Sequence, residues 1–132
     1  MQAIILAGGE GRRLRPYTHV LPKPLMPVGG RPILERIVEQ LREAGFTDLT
    51  FAVGYLASII ETYFSDGSRF GVNITYSLET KKLGTAGPMG LIEKPKEPLL
   101  VMNGDILTGL DFGAFMSAHK DSVARATLAV FL

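Results

Sequence analysis

The run LAGGEGRRLRPYTHVLPKPL, residues 6–25, concentrates groups that handle anions. Gly8, Gly9 and Gly11 stand beside Arg12, Arg13 and Arg15, and Lys23 follows ten residues after Arg13, held between Pro22 and Pro24. Glycines let a backbone approach a ligand and turn its N–H groups inward. Arginine offers a planar fork matched to phosphate oxygens. Lysine offers a compact charge, whose backbone the flanking prolines restrict. Two phosphate-binding fingerprints nevertheless fail. G-x-G-x-x-G is met by Gly9 and Gly11 but has Leu14 at its third position, and the P-loop pattern would need a glycine where Pro22 stands. Spacing alone leaves two readings: a phosphate cradle, or a plain glycine turn with solvated arginines.

The elements that must position this loop follow from periodicity. Residues 2–7 form a continuous apolar run, which predicts a strand buried on both faces. A helix is predicted from Pro32 onward, with Ile33, Leu34, Ile37, Val38, Leu41 and Ala44 on one stripe and Gly45 closing it. A strand over 48–53, a helix marked by Leu56, Ile59, Ile60, Tyr63 and Phe64, a turn-rich loop over 65–71 and a strand over 72–77 come next. The segment 83–94 predicts a helix whose first turn Gly87, Pro88 and Gly90 weaken. A strand over 99–102 then ends at Asn103-Gly104-Asp105, Phe112, Phe115, Met116 and His119 mark a short helix, and residues 126–132 read as a last strand. The alternation predicts a three-layer α/β domain with a mainly parallel sheet and the 2–7 strand at its centre. Ligands of such sheets lie beyond the carboxyl ends of the strands, where both the glycine loop and Asp105 fall.

Composition limits the alternatives. A chain of 132 residues suits one domain, and 46% hydrophobic residues with a mean hydropathy of +0.21 argue against disorder. Fourteen basic against thirteen acidic residues leave a net charge of +1, no footprint for nucleic acid or an anionic membrane, so any anion site must be local. The absence of cysteine removes disulfides, zinc–thiolate sites and thiol nucleophiles, and suits a reducing cytosol. The N-terminus lacks the basic start and long apolar stretch of a signal peptide, and no apolar run approaches the ~20 residues of a membrane span. A cytoplasmic location is expected.

The string LAGGEGRRLRPYT…LPKPLMPVGGRPIL, continued through DGSRFGVNITYS, LGTAG and VMNGDIL, resembles the sugar-phosphate nucleotidyltransferases over essentially the whole chain. These enzymes join a nucleoside triphosphate to a sugar 1-phosphate, giving a nucleotide-sugar and pyrophosphate. LGTAGP after Glu79 is most similar to the mannose-1-phosphate guanylyltransferases. The resemblance implies a Rossmann-like domain of the nucleotide-diphospho-sugar transferase type, with residues 1–132 as its N-terminal, nucleotide-binding part. It implies that the backbone of Leu6, Ala7, Gly8 and Gly9 lies near base and sugar, and that Gly11, Arg12 and Arg13 lie near the phosphates. Arg13 matches the family's catalytic arginine, and Lys23 the lysine near the α-phosphate and the incoming sugar phosphate. Asp105 matches a Mg²⁺ ligand, and Gly84 and Glu79 match positions near the base.

Other assignments remain beside these. Arg12 stands where the family usually has Thr or Ser. Glu79 reads equally as a solvated loop carboxylate, Asp105 could cap the following turn, and Arg15 suits packing within the loop. His19 and His119 show no ligand spacing. Family catalytic domains are considerably longer, with a second metal-binding aspartate and most sugar contacts further on, so the chain is expected to be C-terminally truncated relative to them. The alternative function is a non-catalytic nucleotide-binding or regulatory module, or an inactive fragment, of the same fold. An oxidoreductase dinucleotide domain is disfavoured by the failed glycine fingerprint. The implied partners are the two substrates, with neither nucleic acid nor membrane. An unpaired last strand would leave an edge open to a second copy of the chain, which admits a homo-oligomer.

Overall fold

The structure, a computed structural model, describes residues 1–81, 84, 87–91 and 98–130. In chain order its elements are β1 (Gln2–Leu6), the hairpin strands β2 (Pro27–Val28) and β3 (Arg31–Pro32), α1 (Ile33–Glu43), β4 (Asp48–Val53), α2 (Ala57–Phe64), β5 (Asn73–Leu78), β6 (Leu100–Asn103) and α3 (Phe112–Lys120). Four strands form one parallel sheet in the order β5-β4-β1-β6, so β1 is interior, as its apolar run predicts. The expected α/β class and parallel sheet are therefore observed.

Residues in register on a parallel sheet share a face. Ala3, Leu49, Ile74 and Leu100 thus point the same way as Ile5, Phe51, Tyr76 and Met102. Leu34, Ile37, Val38 and Leu41 of α1, Ile60 and Phe64 of α2, and Phe112 and Met116 of α3 join that face in a single core. The opposite face carries Ile4, Thr50, Thr75 and Val101, with the Thr50 and Thr75 hydroxyls 3.2 Å apart.

Polar bonds set the ends of the elements. Gly45 N–H to Arg42 O (2.9 Å) and Phe46 N–H to Leu41 O (2.8 Å) close α1 in a Schellman turn. Asp111 Oδ1 caps α3 by accepting from the Ala114 amide at 2.9 Å. The hairpin is tied to α1 by Arg36, which donates to Val28 O (2.9 Å) and Gly29 O (3.1 Å), and by Arg31 against Glu39 (2.6 Å).

Three expectations are corrected. Pro32 precedes α1 instead of opening it, because it is extended (ψ 144°) and paired with Pro27 in the hairpin. Of the helix expected over 83–94, residues 87–91 form a 3-10 turn, in keeping with the poor helix propensity of Gly87, Pro88 and Gly90, and its other residues apart from Gly84 lie outside the described set. Of the strand expected over 126–132, residues 126–130 form none. Strand-like composition makes a strand only where a neighbour completes the ladder, and among the described residues none does; Leu128 and Val130 are accordingly exposed.

Candidate functional site

The strand order reverses at β1: the chain steps outward through β4 and β5 on one side and returns to place β6 on the other. Loops leaving the carboxyl ends of β1 and β6 therefore diverge and leave a crevice. A cleft of about 840 Å³ lies there. Its lining includes Leu6, Ala7, Gly8, Gly9, Gly11, Arg12, Arg13, Lys23, Glu79, Gly84 and Asp105, so the structure brings together the residues to which the resemblance gave a place near nucleotide or metal. Arg15, by contrast, is not among the lining residues, and neither is His19.

The glycine loop gains its shape from local geometry. Gly11 has φ 58°, ψ 35° and precedes a 3-10 turn over Arg12–Leu14. A side chain there would be strained by the left-handed backbone, and its Cβ would fall 2.8 Å from Thr18 Cγ2 and 3.3 Å from Lys23 Cβ. Lys23 opens the third 3-10 turn of the loop, Lys23–Leu25, after those at Arg12–Leu14 and Tyr17–His19, and in it Leu25 N–H meets Pro22 O at 2.9 Å and Met26 N–H meets Lys23 O at 3.0 Å. Pro24 and Leu25 are buried and anchor this turn, while Lys23 itself reaches the cleft.

Asp105 arrives from the other side. The Gly104 amide donates to Leu6 O at 2.9 Å. A Cβ on Gly104 would lie 3.1 Å from Ile5 Cγ2 and 3.4 Å from Ala7 Cβ, so the chain passes close to β1 and delivers Asp105 beside the glycine loop. The Lys23 ammonium and the Asp105 carboxylate form an ion pair. With the two side chains 40% and 25% exposed, the pair adds little to stability, and its consequence is to place opposite charges together in the cleft.

Arg12 Nε lies 2.6 Å from Glu10 Oε2, and the Glu10 hydrogen bond, followed by its charge, holds the guanidinium pKa above its ordinary value. Glu79 begins the loop after β5. Its amide donates to Val53 O at 2.7 Å, and its Oε2 lies 3.1 Å from where a Cβ on Gly8 would stand. Among the described residues, no group of three His, Cys, Asp or Glu side chains could enclose a metal, and the carboxylates of Glu10, Glu79 and Asp105 line the cleft without forming such a group.

Sequence reasoning missed Glu10, Gly54, Tyr55, Lys81 and Asn103, which complete the walls. Gly54 and Tyr55 follow β4, so the strand-end rule that found the first loop also covers them. Thr18 was missed too. It is buried beneath the loop, whereas a threonine in a polar stretch reads as solvated.

A crevice at the strand-order reversal of a parallel sheet defines a Rossmann-like α/β fold, the class in which ligands lie beyond the carboxyl ends of the strands. More particularly, the chain belongs to the nucleotidyl transferase family, whose profile matches residues 2–132. It is similar to the mannose-1-phosphate guanyltransferase of Yarrowia lipolytica, with 43% identity over 133 residues that cover 97% of this chain and 37% of the relative. It is also similar to the UTP–glucose-1-phosphate uridylyltransferase of Synechocystis, with 40% identity over 97% of this chain and 36% of that one. Among solved structures, a Bacillus anthracis protein assigned as a glucose-1-phosphate thymidylyltransferase superposes with a TM-score of 0.86 at 32% identity, covering 92% of this chain and 50% of its own. The chain thus spans little more than a third of these two curated relatives. Among the described residues, no helix is long and apolar enough to cross a membrane.

Proposed function

We propose that the chain is the nucleotide-binding part of a cytoplasmic sugar-1-phosphate nucleotidyltransferase. The observation that carries this reading is the convergence of Arg13, Lys23 and Asp105 with the glycine loop on one cleft at the strand-order reversal. A phosphate oxygen of the sugar 1-phosphate attacks the α-phosphorus of the nucleoside triphosphate. The bond to the β-phosphate oxygen breaks and pyrophosphate leaves. Both substrates are anions, so alignment and charge neutralisation supply the catalysis and no protein nucleophile is needed.

In this reading the backbone of Leu6, Ala7, Gly8 and Gly9 receives base and ribose, and Gly11, Arg12 and Arg13 receive the phosphates. Arg13 offsets charge growing on the pyrophosphate. Lys23 exchanges Asp105 for phosphate oxygens and relieves repulsion between the two reacting anions. Asp105 would hold Mg²⁺, which supplies further neutralisation of phosphate charge and needs only one or two carboxylates beside phosphate and water.

Glu79 and Gly84 face the base. We favour guanine, in line with the Yarrowia guanyltransferase. A carboxylate at Glu79 accepts from the adjacent N1–H and N2–H₂ donors of guanine, whereas uracil and thymine flank their single N–H with carbonyl oxygens that a carboxylate repels.

The test is calorimetric titration of the chain with Mg²⁺ and each common nucleoside triphosphate, followed by pyrophosphate release with a panel of sugar 1-phosphates from the protein that contains it. GTP is expected to bind most tightly. Arg13→Ala should weaken binding about tenfold, and Arg15→Ala, which changes a residue outside the cleft lining, should have much less effect. A folded chain that binds no triphosphate would remove the reading, and equal effects from the two arginines would remove the role given to Arg13.

A further inference from the structure

Thr18 is a polar side chain 2% exposed, and it is not among the residues lining the cleft. Its Oγ1 donates to Gly11 O at 2.9 Å, seven residues back in the chain. The same carbonyl accepts the Leu14 amide at 2.9 Å. The Gly11–Arg12 peptide is trans, so its C=O and the following N–H point in opposite directions. A carbonyl drawn down onto Thr18 therefore turns the Arg12 amide away from the buried side, toward the cleft that Gly11, Arg12 and Arg13 line. Among the described residues, no backbone carbonyl accepts from the amides of Gly11, Arg12 and Arg13. Amides so presented are what an anion cradle requires.

We propose that Thr18 is a positioning residue whose hydroxyl fixes the Gly11–Arg12 peptide so that the Arg12 amide faces the phosphates of a bound nucleoside triphosphate. The inference rests on the nucleotide-binding reading above and adds to it a residue from beneath the cleft. The two branches of the side chain divide the work. The methyl packs against Gly11, where an added Cβ would come within 2.8 Å, and the hydroxyl sets the direction of the peptide. Removing the hydroxyl leaves Gly11 O bonded to Leu14 alone, so the turn persists, but the direction of the peptide is held by one hydrogen bond instead of two.

The experiment compares the wild-type chain with Thr18→Val and Thr18→Ser. Thermal melting is measured without ligand. Calorimetry follows with the nucleoside triphosphate that the wild type binds, in Mg²⁺, and with the matching monophosphate. Valine keeps the packing, so Thr18→Val should melt near the wild type and bind the triphosphate about tenfold more weakly, with little change for the monophosphate. Serine keeps the hydroxyl, so Thr18→Ser should melt lower yet bind within about twofold of wild type. Affinity and stability would then rank the variants in opposite orders, which a purely structural role cannot produce. The proposal is overturned if affinity follows stability, if Thr18→Val binds like the wild type, or if it loses mono- and triphosphate alike. If the wild type binds no triphosphate, the nucleotide-binding reading fails and takes this inference with it. If the wild type binds and Thr18→Val is unchanged, only this inference fails. Should Thr18→Val not fold, Thr18→Ser against Thr18→Ala makes the same comparison, with the same outcomes deciding.

Discussion

The β4–α2 region and the 8–25 loop hold their shapes by different means. Phe51 is fully buried, its ring edge-on to Phe64 at 5.3 Å and to Tyr76 at 5.8 Å, and Phe64 continues the cluster to Phe70 at 5.0 Å. Burial and dispersion secure this region, and neither rests on the direction of a single peptide. The loop exposes Tyr17 and Val20 and is pinned at Thr18, Pro24 and Leu25. Between the pins its course depends on a left-handed glycine and a few carbonyl bonds. The first region determines whether the chain folds, and the second determines where its amides point. Stability and ligand affinity should therefore be separable by mutation.

The largest effect expected is on the packed region. Phe51→Ala removes a ring enclosed by two others and should destabilise the chain by about 3–5 kcal/mol, read from urea denaturation. The fraction still folded should bind the triphosphate nearly as well as wild type. A loss below about 1 kcal/mol would show that the cluster collapses around the cavity, and that the region is softer than its burial implies.

The loop should respond in the opposite sense. Gly11→Ala must place a side chain at φ 58° and push Thr18 or Lys23 aside. A stability cost of about 1–3 kcal/mol is expected, with triphosphate affinity reduced by more than tenfold. Gly9→Ala is the companion. A Cβ on Gly9 meets nothing within 4 Å and its φ is not left-handed, so the melting temperature should stay put while affinity falls if a ligand approaches that backbone. Equal loss of stability in both variants would mean that the loop's glycines serve folding alone.

What the sequence could disclose divides along the same line. The 3.6-residue stripe of α1 and the apolar run of β1 were legible because burial leaves a periodic trace. The hairpin at 27–32 was overlooked although Gly29 (φ 59°) and Gly30 (φ 80°) make its two-residue turn, because prolines at both ends speak against strands. The 126–132 segment was over-read because composition carries no information about a ladder partner. In the cleft, the cations and glycines were legible by chemical type and by resemblance. The Lys23–Asp105 pair joins residues far apart in the chain, and the Thr18 hydroxyl acts through another residue's carbonyl. Neither arrangement leaves a pattern in one dimension.

The smallest effect expected concerns the margin between packing and polarity, at Tyr76. Its ring belongs to the Phe51 cluster, and its hydroxyl donates to Ser65 O at 2.6 Å. Burial, then the charges of Glu61 and Asp66, push its pKa from 10.0 up to about 12. The folded state therefore keeps this proton over a range in which the unfolded chain has released it. The stabilisation is complete below pH 10 and disappears as pH rises through about 12, because unfolding in that window releases a proton. Alkaline solution also changes the net charge of both states, so the informative quantity is a difference between variants. Urea midpoints of wild type and Tyr76→Phe, measured at pH 9, 10, 11 and 12, should converge with rising pH. The variant should start slightly less stable, since it lacks the bond to Ser65, and lose less along the way. Parallel curves would mean that the Tyr76 hydroxyl titrates as it does in the unfolded chain. That outcome would move the boundary of the packed region inward, to Phe51 itself.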